Sequence, residues 1–184
     1  MEKQISPTRK KILDVASRLF HHQGYNSTGI NQIIKEADVD KGSLYHLFPS
    51  KEELCIGYLN QRHDYWFAQL NAFTAAKRTA KQKIVAAFNF ISDMNERESY
   101  RGCSFLNIIS EISPAEKDIL KVIQRHKQDL RDFFTAILND YDKDLVDHIY
   151  LLFESSIIES QVFKDQWPVE RSKQLVSSLL KNKI

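Results

Sequence analysis

The sequence predicts an all-α protein of about nine helices. Apolar residues recur at the helical period in every segment, and the strict alternation of a half-buried strand is found nowhere. Only 5 Gly and 4 Pro occur in 184 residues, too few for a chain of hairpins or flexible linkers. Side chains suited to helix caps also stand ahead of most apolar runs. With 42% hydrophobic and 27% charged residues, such a chain can bury a core without disulfides or metal.

The first helix is expected from Pro7 or Thr8 to His22. Ser6 caps it, Pro7 suits a first turn whose N–H has no partner in any case, and Ile12, Leu13, Ala16, Leu19 and Phe20 form its apolar face. Gly24 supplies the left-handed residue at its end. Thr28 is the expected cap of a short second helix with Ile30, Ile33, Ile34 and Ala37 inward. After a tight turn at Asp38-Val39-Asp40, a third helix runs from Lys41 to Leu47, with Asp40 as cap, Leu44, Leu47 and Phe48 inward, and Pro49 as its stop. Ser50-Lys51-Glu52-Glu53 reads as a capping box opening a long fourth helix to about Phe73.

The polar, Ala-rich stretch 72–82 is read as a connection. A fifth helix is expected at about Lys83–Glu96 and a sixth at Gly102–Ile112. A second capping box, Ser113-Pro114-Ala115-Glu116, would open a seventh helix reaching Asn139. The eighth spans about Asp142–Phe163, and Pro168 opens a ninth that ends near Lys181. No internal repeat or low-complexity tract interrupts the pattern.

Charge is unevenly placed. Residues 1–51 carry eight Lys/Arg against five Asp/Glu, whereas residues 52–184 carry eighteen against nineteen. The positive excess lies at the N-terminal end, where a phosphate-binding module would need it. No apolar run approaches the roughly 20 residues of a membrane span, and the first seven residues contain no apolar signal core. Cys55 and Cys103 show no metal-ligand spacing and suit a reducing compartment. Together these features predict a cytoplasmic protein without metal or cofactor.

Two short helices joined by a tight turn and braced by a longer one satisfy the helix-turn-helix pattern, in which the second helix of the pair enters the major groove. The third helix has few inward residues, and its outer face is Lys41, Gly42, Ser43, Tyr45 and His46. Those side chains suit base edges and phosphates. Thr28, Gly29 and the free N–H groups that start the second helix can hold a phosphate, and Lys41 can reach a phosphate or a guanine edge. Gly42 lets the helix backbone approach DNA closely. Ser43 and His46 can bond base edges, Tyr45 can lie on a sugar and donate its hydroxyl to a phosphate, and Lys51 can contact a flanking phosphate.

The run from Thr28 to Leu54, with its core Lys41-Gly42-Ser43-Leu44-Tyr45-His46 followed by Phe48 and Ser50-Lys51, resembles the N-terminal signature of the tetracycline-repressor (TetR) family. The resemblance extends back through Leu19-Phe20 and Gly24-Tyr25, so positions 8–54 are covered. It implies an all-helical homodimer with a DNA-binding domain at residues 1–50 and an effector-binding and dimerisation domain at 51–184. Helices eight and nine would form a four-helix dimer interface. A repressor released from a palindromic operator on double-stranded DNA by a small-molecule effector is the function that follows.

The eighth helix carries Leu145, Ile149, Leu152, Ser156 and Glu159 near one stripe, with Tyr150, Phe153, Ile157 and Phe163 elsewhere around it. A helix apolar on two sides must be buried on two sides, either wholly within one subunit or against a second. Val176, Leu179 and Leu180 give the ninth a similar stripe. The candidates for effector contact are Phe88, Cys103, Phe105, Asn107, Tyr150, Phe153 and Glu154, which combine apolar walls with a few polar groups. Arg101-Gly102-Cys103, with Asn107 four residues after the cysteine, is similar to a pattern in TetR-like subgroups, some of which respond to electrophiles or oxidants. The alternative for Cys103 is a small thiol filling space, and Cys55 is read in that way too.

Two other classes fit less well. A metal-dependent enzyme would need more than the one pair Asp144 and His148, and HExxH, P-loop, GxSxG and dinucleotide motifs are absent from the sequence. A helical protein–protein adaptor would use the first three helices only for packing and would have no salt-dependent affinity for DNA.

Overall fold

The computed structural model describes residues 6–180, and within them the chain forms helices only. In order these are α1 (Pro7–Gln23), α2 (Ile30–Ala37), α3 (Lys41–Leu47), α4 (Lys51–Ala75), α5 (Ala80–Arg97), α6 (Ser104–Ile109), α7 (Lys117–Ile137), α8 (Lys143–Phe163) and α9 (Trp167–Leu179). Packing divides them into two compact units. One comprises the residues up to His63 with Ser104–Gln124; the other comprises Asp64–Cys103 with the residues from Arg125 onward.

Three of the first four helix starts follow their caps. The Ser6 hydroxyl accepts from Arg9 N at 3.2 Å, Asp40 accepts from Ser43 N at 2.8 Å, and the Ser50 hydroxyl accepts from Glu53 N at 3.0 Å. The exception is α2. Its N-cap is Gly29, which offers no side chain, while Thr28 is fully buried and its hydroxyl donates to the Gly24 carbonyl at 2.7 Å. Thr28 therefore closes the α1–α2 connection from inside, and capping passes to the next residue.

The largest departures lie between α4 and α7. Helix α5 begins three residues earlier than expected because Thr79 and Gln82 form a capping box, with Gln82 N donating to the Thr79 hydroxyl at 3.2 Å and Thr79 N to Gln82 Oε1 at 3.3 Å. Helix α6 is shorter at both ends. Ser99, Tyr100 and Gly102 all have positive φ, which keeps the approach to it out of helical geometry. Helix α7 starts at Lys117, not at Pro114. The Glu116 carboxylate does accept from Ser113 N at 2.8 Å, but this contact closes a turn ahead of the helix. The expected end of α9 at Lys181 lies outside the described residues.

The first unit is cored by Ile12, Ala16, Leu19, Phe20, Ile33, Leu44, Phe48, Leu54 and Leu59, with Phe20 in ring contact with both Tyr25 and Tyr58. Gly24 sits at φ 98, ψ 163, a region that side chains rarely enter. A Cβ there would also stand 2.7 Å from Glu111 Oε1.

The second unit has an aromatic core. Phe88, Phe90, Phe134 and Phe153 are fully buried, and Trp66, Phe73 and Tyr150 pack on them edge to face. Ile84, Leu130, Ile149, Val169 and Val176 complete it. No described helix is long and apolar enough to cross a membrane.

Gly24→Ala should destabilise the protein by about 1–3 kcal/mol, since it combines a disfavoured φ with a contact that Glu111 must yield. Urea unfolding of both proteins checks this. A midpoint unchanged by the substitution would mean that the connection relaxes freely.

Candidate functional site

Helix α3 is fixed by two buried side chains and one cap. Leu44 and Phe48 point into the first unit, and Arg9 lies over the outer Phe48 ring at 4.2 Å. Asp40 also accepts from the Ser43 hydroxyl, at 2.5 Å. That hydroxyl and the Ser43 N–H hold the Asp40 carboxyl below the usual carboxylate range, so a negative charge stays at the helix N-terminus. Asp38 takes a left-handed conformation in the α2–α3 turn, and its carbonyl and carboxylate both face the Lys11 ammonium, at 3.4 and 3.5 Å. Arg18 on α1 pairs with Glu36 on α2.

With the inner side so occupied, Lys41, Gly42, Tyr45 and His46 are exposed on the outer side. They share one surface, as the helical spacing requires. The Lys41 ammonium is 6.0 Å from the Tyr45 ring. A Cβ on Gly42 would meet only the Asp40 carboxylate, at 3.1 Å, so its outward side is open.

Two of the expected contacts need correction. Thr28 is buried with its hydroxyl spent, so any anion at the start of α2 would meet backbone N–H groups of Gly29 and its successors, not the Thr28 side chain. The Ser43 hydroxyl proton is given to Asp40, leaving Ser43 only as an acceptor. The Lys51 ammonium rests 4.4 Å from the centre of the Tyr25 ring, and burial lowers its pKa.

Sequence reading missed how the α1–α2 connection is held. Two carboxylates from the segment between α6 and α7 grip it. Glu116 accepts from the Tyr25 hydroxyl at 2.5 Å, and Glu111 accepts from Asn26 N at 2.6 Å while its carbonyl accepts from Asn26 Nδ2 at 2.7 Å. His21 Nδ1 lies 3.1 Å from the Ser104 hydroxyl at the start of α6. The Tyr25 hydroxyl holds the Glu116 carboxyl below the usual carboxylate range, whereas burial and this carboxylate push the Tyr25 phenol up. No local pattern carries these contacts, because the partners are 85 and 91 positions apart.

The expected effector residues fall in both units. Phe105 and Asn107 belong to the first unit, where Phe105 is buried and the Asn107 carbonyl accepts from the Ser110 hydroxyl. Phe88 and Phe153 are fully buried core of the second unit, with ring centres 5.4 Å apart. Cys103, Tyr150 and Glu154 lie half-buried at the edge of that core, joined by a residue missed from the sequence, Lys127. The Lys127 ammonium pairs with Glu154 Oε2 at 2.5 Å and lies 3.5 Å from Cys103 Sγ. Burial opposes that ammonium, yet the Cys103 sulfur and the Glu154 carboxylate outweigh it and leave the Lys127 pKa above the ordinary value. The signal was available: Lys127 stands four residues after Ile123 and three before Leu130, on the buried face of α7. Cys55 is fully buried, and burial drives its thiol pKa up, as a packing thiol requires.

On α8 the buried stripe is Val146, Ile149, Phe153, Ser156, Ile157 and Ser160. A second stripe, Leu151, Ile158 and Val162 with Ser155 between them, is exposed, Leu151 at 59% and Val162 at 66%. Helix α9 exposes Leu175 and Leu179. The expected second apolar face of α8 therefore exists, through residues other than the stripe of Leu145, Leu152 and Glu159.

These features define an all-helical protein with a helix-turn-helix at its N-terminal end. Residues 12–56 match the family of bacterial regulatory proteins described as the tetR family. An HTH-type transcriptional regulator from the lacX 3′ region of Lactococcus lactis is 29% identical over 126 residues, covering 67% of this chain and 64% of its own. The regulator YxaF of Bacillus subtilis is 64% identical over 50 residues, 27% of this chain and 26% of its own. The chain thus spans less than two thirds of these curated relatives. Among solved structures, a TetR-family transcriptional regulator from Streptomyces coelicolor is 27% identical, covers 95% of both chains and superimposes with a TM-score of 0.84. Residues 12–56 thus carry the tetR-family segment, and the chain as a whole is similar in fold to a TetR-family regulator.

Glu116→Gln should be less stable than the native protein at neutral pH. A carboxyl with a depressed folded-state pKa contributes stability above its unfolded value, about 4.3, and loses it as pH falls through the folded value. The gap between the two urea midpoints should therefore close on acidification; a gap that is constant with pH would mean that the Tyr25–Glu116 bond contributes nothing.

Proposed function

We propose that the chain is a homodimeric transcription regulator that reads a palindromic operator on double-stranded DNA through α3 and is released, as a repressor, by a small-molecule effector. Residues 1–50 bind DNA, and residues 51–184 bind the effector and the second subunit. The observation that carries this reading is the division of α3 itself: Leu44 buried, with Lys41, Gly42, Tyr45 and His46 presented outward in a segment that matches the family profile. The protein works by binding, in the cytoplasm, and not by catalysis.

The division of roles follows chemistry. Tyr45, Lys41 and Lys51 contact phosphates, with the backbone N–H groups after Gly29 as a further anchor. Gly42 lets the backbone come close, and His46, with Ser43 as acceptor, faces base edges. Eight neutralised phosphates per dimer would give a log–log salt slope of about −7. Selecting bound sequences from random duplexes should return a palindrome whose half-sites are separated by whole helical turns. Lys51→Ala should weaken every sequence alike and flatten the slope by about one unit for each phosphate no longer neutralised, whereas His46→Ala should relax specificity. Failure to bind any duplex in dilute salt would end the proposal.

Exposed Leu151, Ile158 and Val162 on α8, with Leu175 and Leu179 on α9, supply the dimer surface. An isologous contact places each patch against its own copy, so one substitution acts twice. Val162→Glu should raise the dimer dissociation constant at least about a hundredfold, as two buried unpaired carboxylates would cost several kcal/mol. Sedimentation equilibrium checks this; an unaltered dimer would place the interface elsewhere.

A further inference from the structure

At Lys127 and Glu154 the aromatic core of the second unit meets a largely buried charge pair. Its side chains are only 17% and 13% exposed. Burying two charges costs several kcal/mol per ion, and their attraction repays this only when their remaining hydrogen-bonding positions are filled. Here they are not. Glu154 Oε2 is taken by Lys127, but Glu154 Oε1 is fully buried and has no hydrogen-bond partner. The other neighbour of the ammonium is Cys103 Sγ, a weak acceptor at 3.5 Å. An apolar pair of the same volume would serve stability as well or better.

The pair lies at the edge of a core of rings: Tyr150, one turn before Glu154 on α8, packs on Phe134 with ring centres 6.4 Å apart. His126 and Phe153, which immediately precede Lys127 and Glu154, both pack on Trp66, with ring centres 5.5 and 6.2 Å away. Phe67 lies 5.6 Å from His126 and 5.4 Å from Trp66.

We propose that Lys127 and Glu154 form the polar end of the effector site, and that the effector is an uncharged planar aromatic molecule whose N–H or O–H donates to Glu154 Oε1. This rests on the regulator reading above. A carboxylate oxygen only accepts, so the missing partner is a donor. Lys127 already balances the carboxylate charge, so a cationic ligand would leave a net positive charge in the core and an anionic one a net negative charge. A neutral donor adds neither, and the rings at this edge of the core, Tyr150 first, supply its faces.

The matched probes are indole, which has one N–H donor, and 1-methylindole, which has none; indole-3-acetate and tryptamine add a negative and a positive charge. Calorimetric titration of the full-length protein without DNA should show indole binding at least about tenfold more tightly than 1-methylindole, as expected for a hydrogen bond to a charged group. Both charged probes should be weaker than indole. In the Lys127→Met/Glu154→Leu double variant the indole to 1-methylindole ratio should fall to near one, with operator affinity unchanged. Glu154→Gln, which preserves shape, should reduce the ratio less. Absence of saturable indole binding, equal affinities for the two indoles in the native protein, preference for a charged probe, or a ratio unchanged in both variants would overturn the proposal. Operator affinity is measured separately, so loss of the regulator reading would show as no DNA binding whatever the indoles do.

Discussion

A seven-residue helix cannot hold its shape alone in water, because nucleation is costly and only a few intrahelical bonds repay it. Everything at the N-terminal end of this protein follows from that limit. Helix α3 exists because Leu44 and Phe48 are buried against its neighbours and Asp40 closes its first turn. Those anchors consume one side of the helix and leave the other free of structural duty. A surface released in this way can carry Lys41, Tyr45 and His46 at no cost in packing.

Most of this end was legible in the sequence because its determinants are local. Ser6, Asp40 and Ser50 stand three residues before the N–H groups they accept from, and a reader of sequence sees such spacings directly. Thr28 shows the limit of that reading. It has the right chemistry for a cap, but its side chain turns inward to donate to the carbonyl of Gly24, four residues earlier, and the N-cap position falls to Gly29. Pattern identified the residue type and tertiary packing chose its partner. The start of α5 was misplaced for the opposite reason: Thr79 and Gln82 form an ordinary capping box, hidden in a stretch whose polarity suggested a linker.

The residues expected to meet an effector were less legible, and the cause is again physical. Rings such as Phe88 and Phe153 satisfy the requirements of a ligand wall and of a core equally well, so composition cannot separate the two. Lys127 differs. A lysine in register with Ile123 and Leu130 breaks the amphipathic pattern of α7, and the structure gives that irregularity a partner in Glu154. Irregularities in an otherwise regular face are more informative than the abundance of aromatic residues.

The grip of Glu111 and Glu116 on Tyr25 and Asn26 bears on how this protein can be taken apart. A fragment cut after α4 would keep every helix of the helix-turn-helix, yet it would strand the Asn26 amide and the Tyr25 hydroxyl without their acceptors and leave Gly24 facing solvent where a carboxylate now lies. The helix-turn-helix is thus completed by residues that ribosomal synthesis delivers only after α5 and α6, and its α1–α2 connection can be fastened only once the α6–α7 segment has left the ribosome.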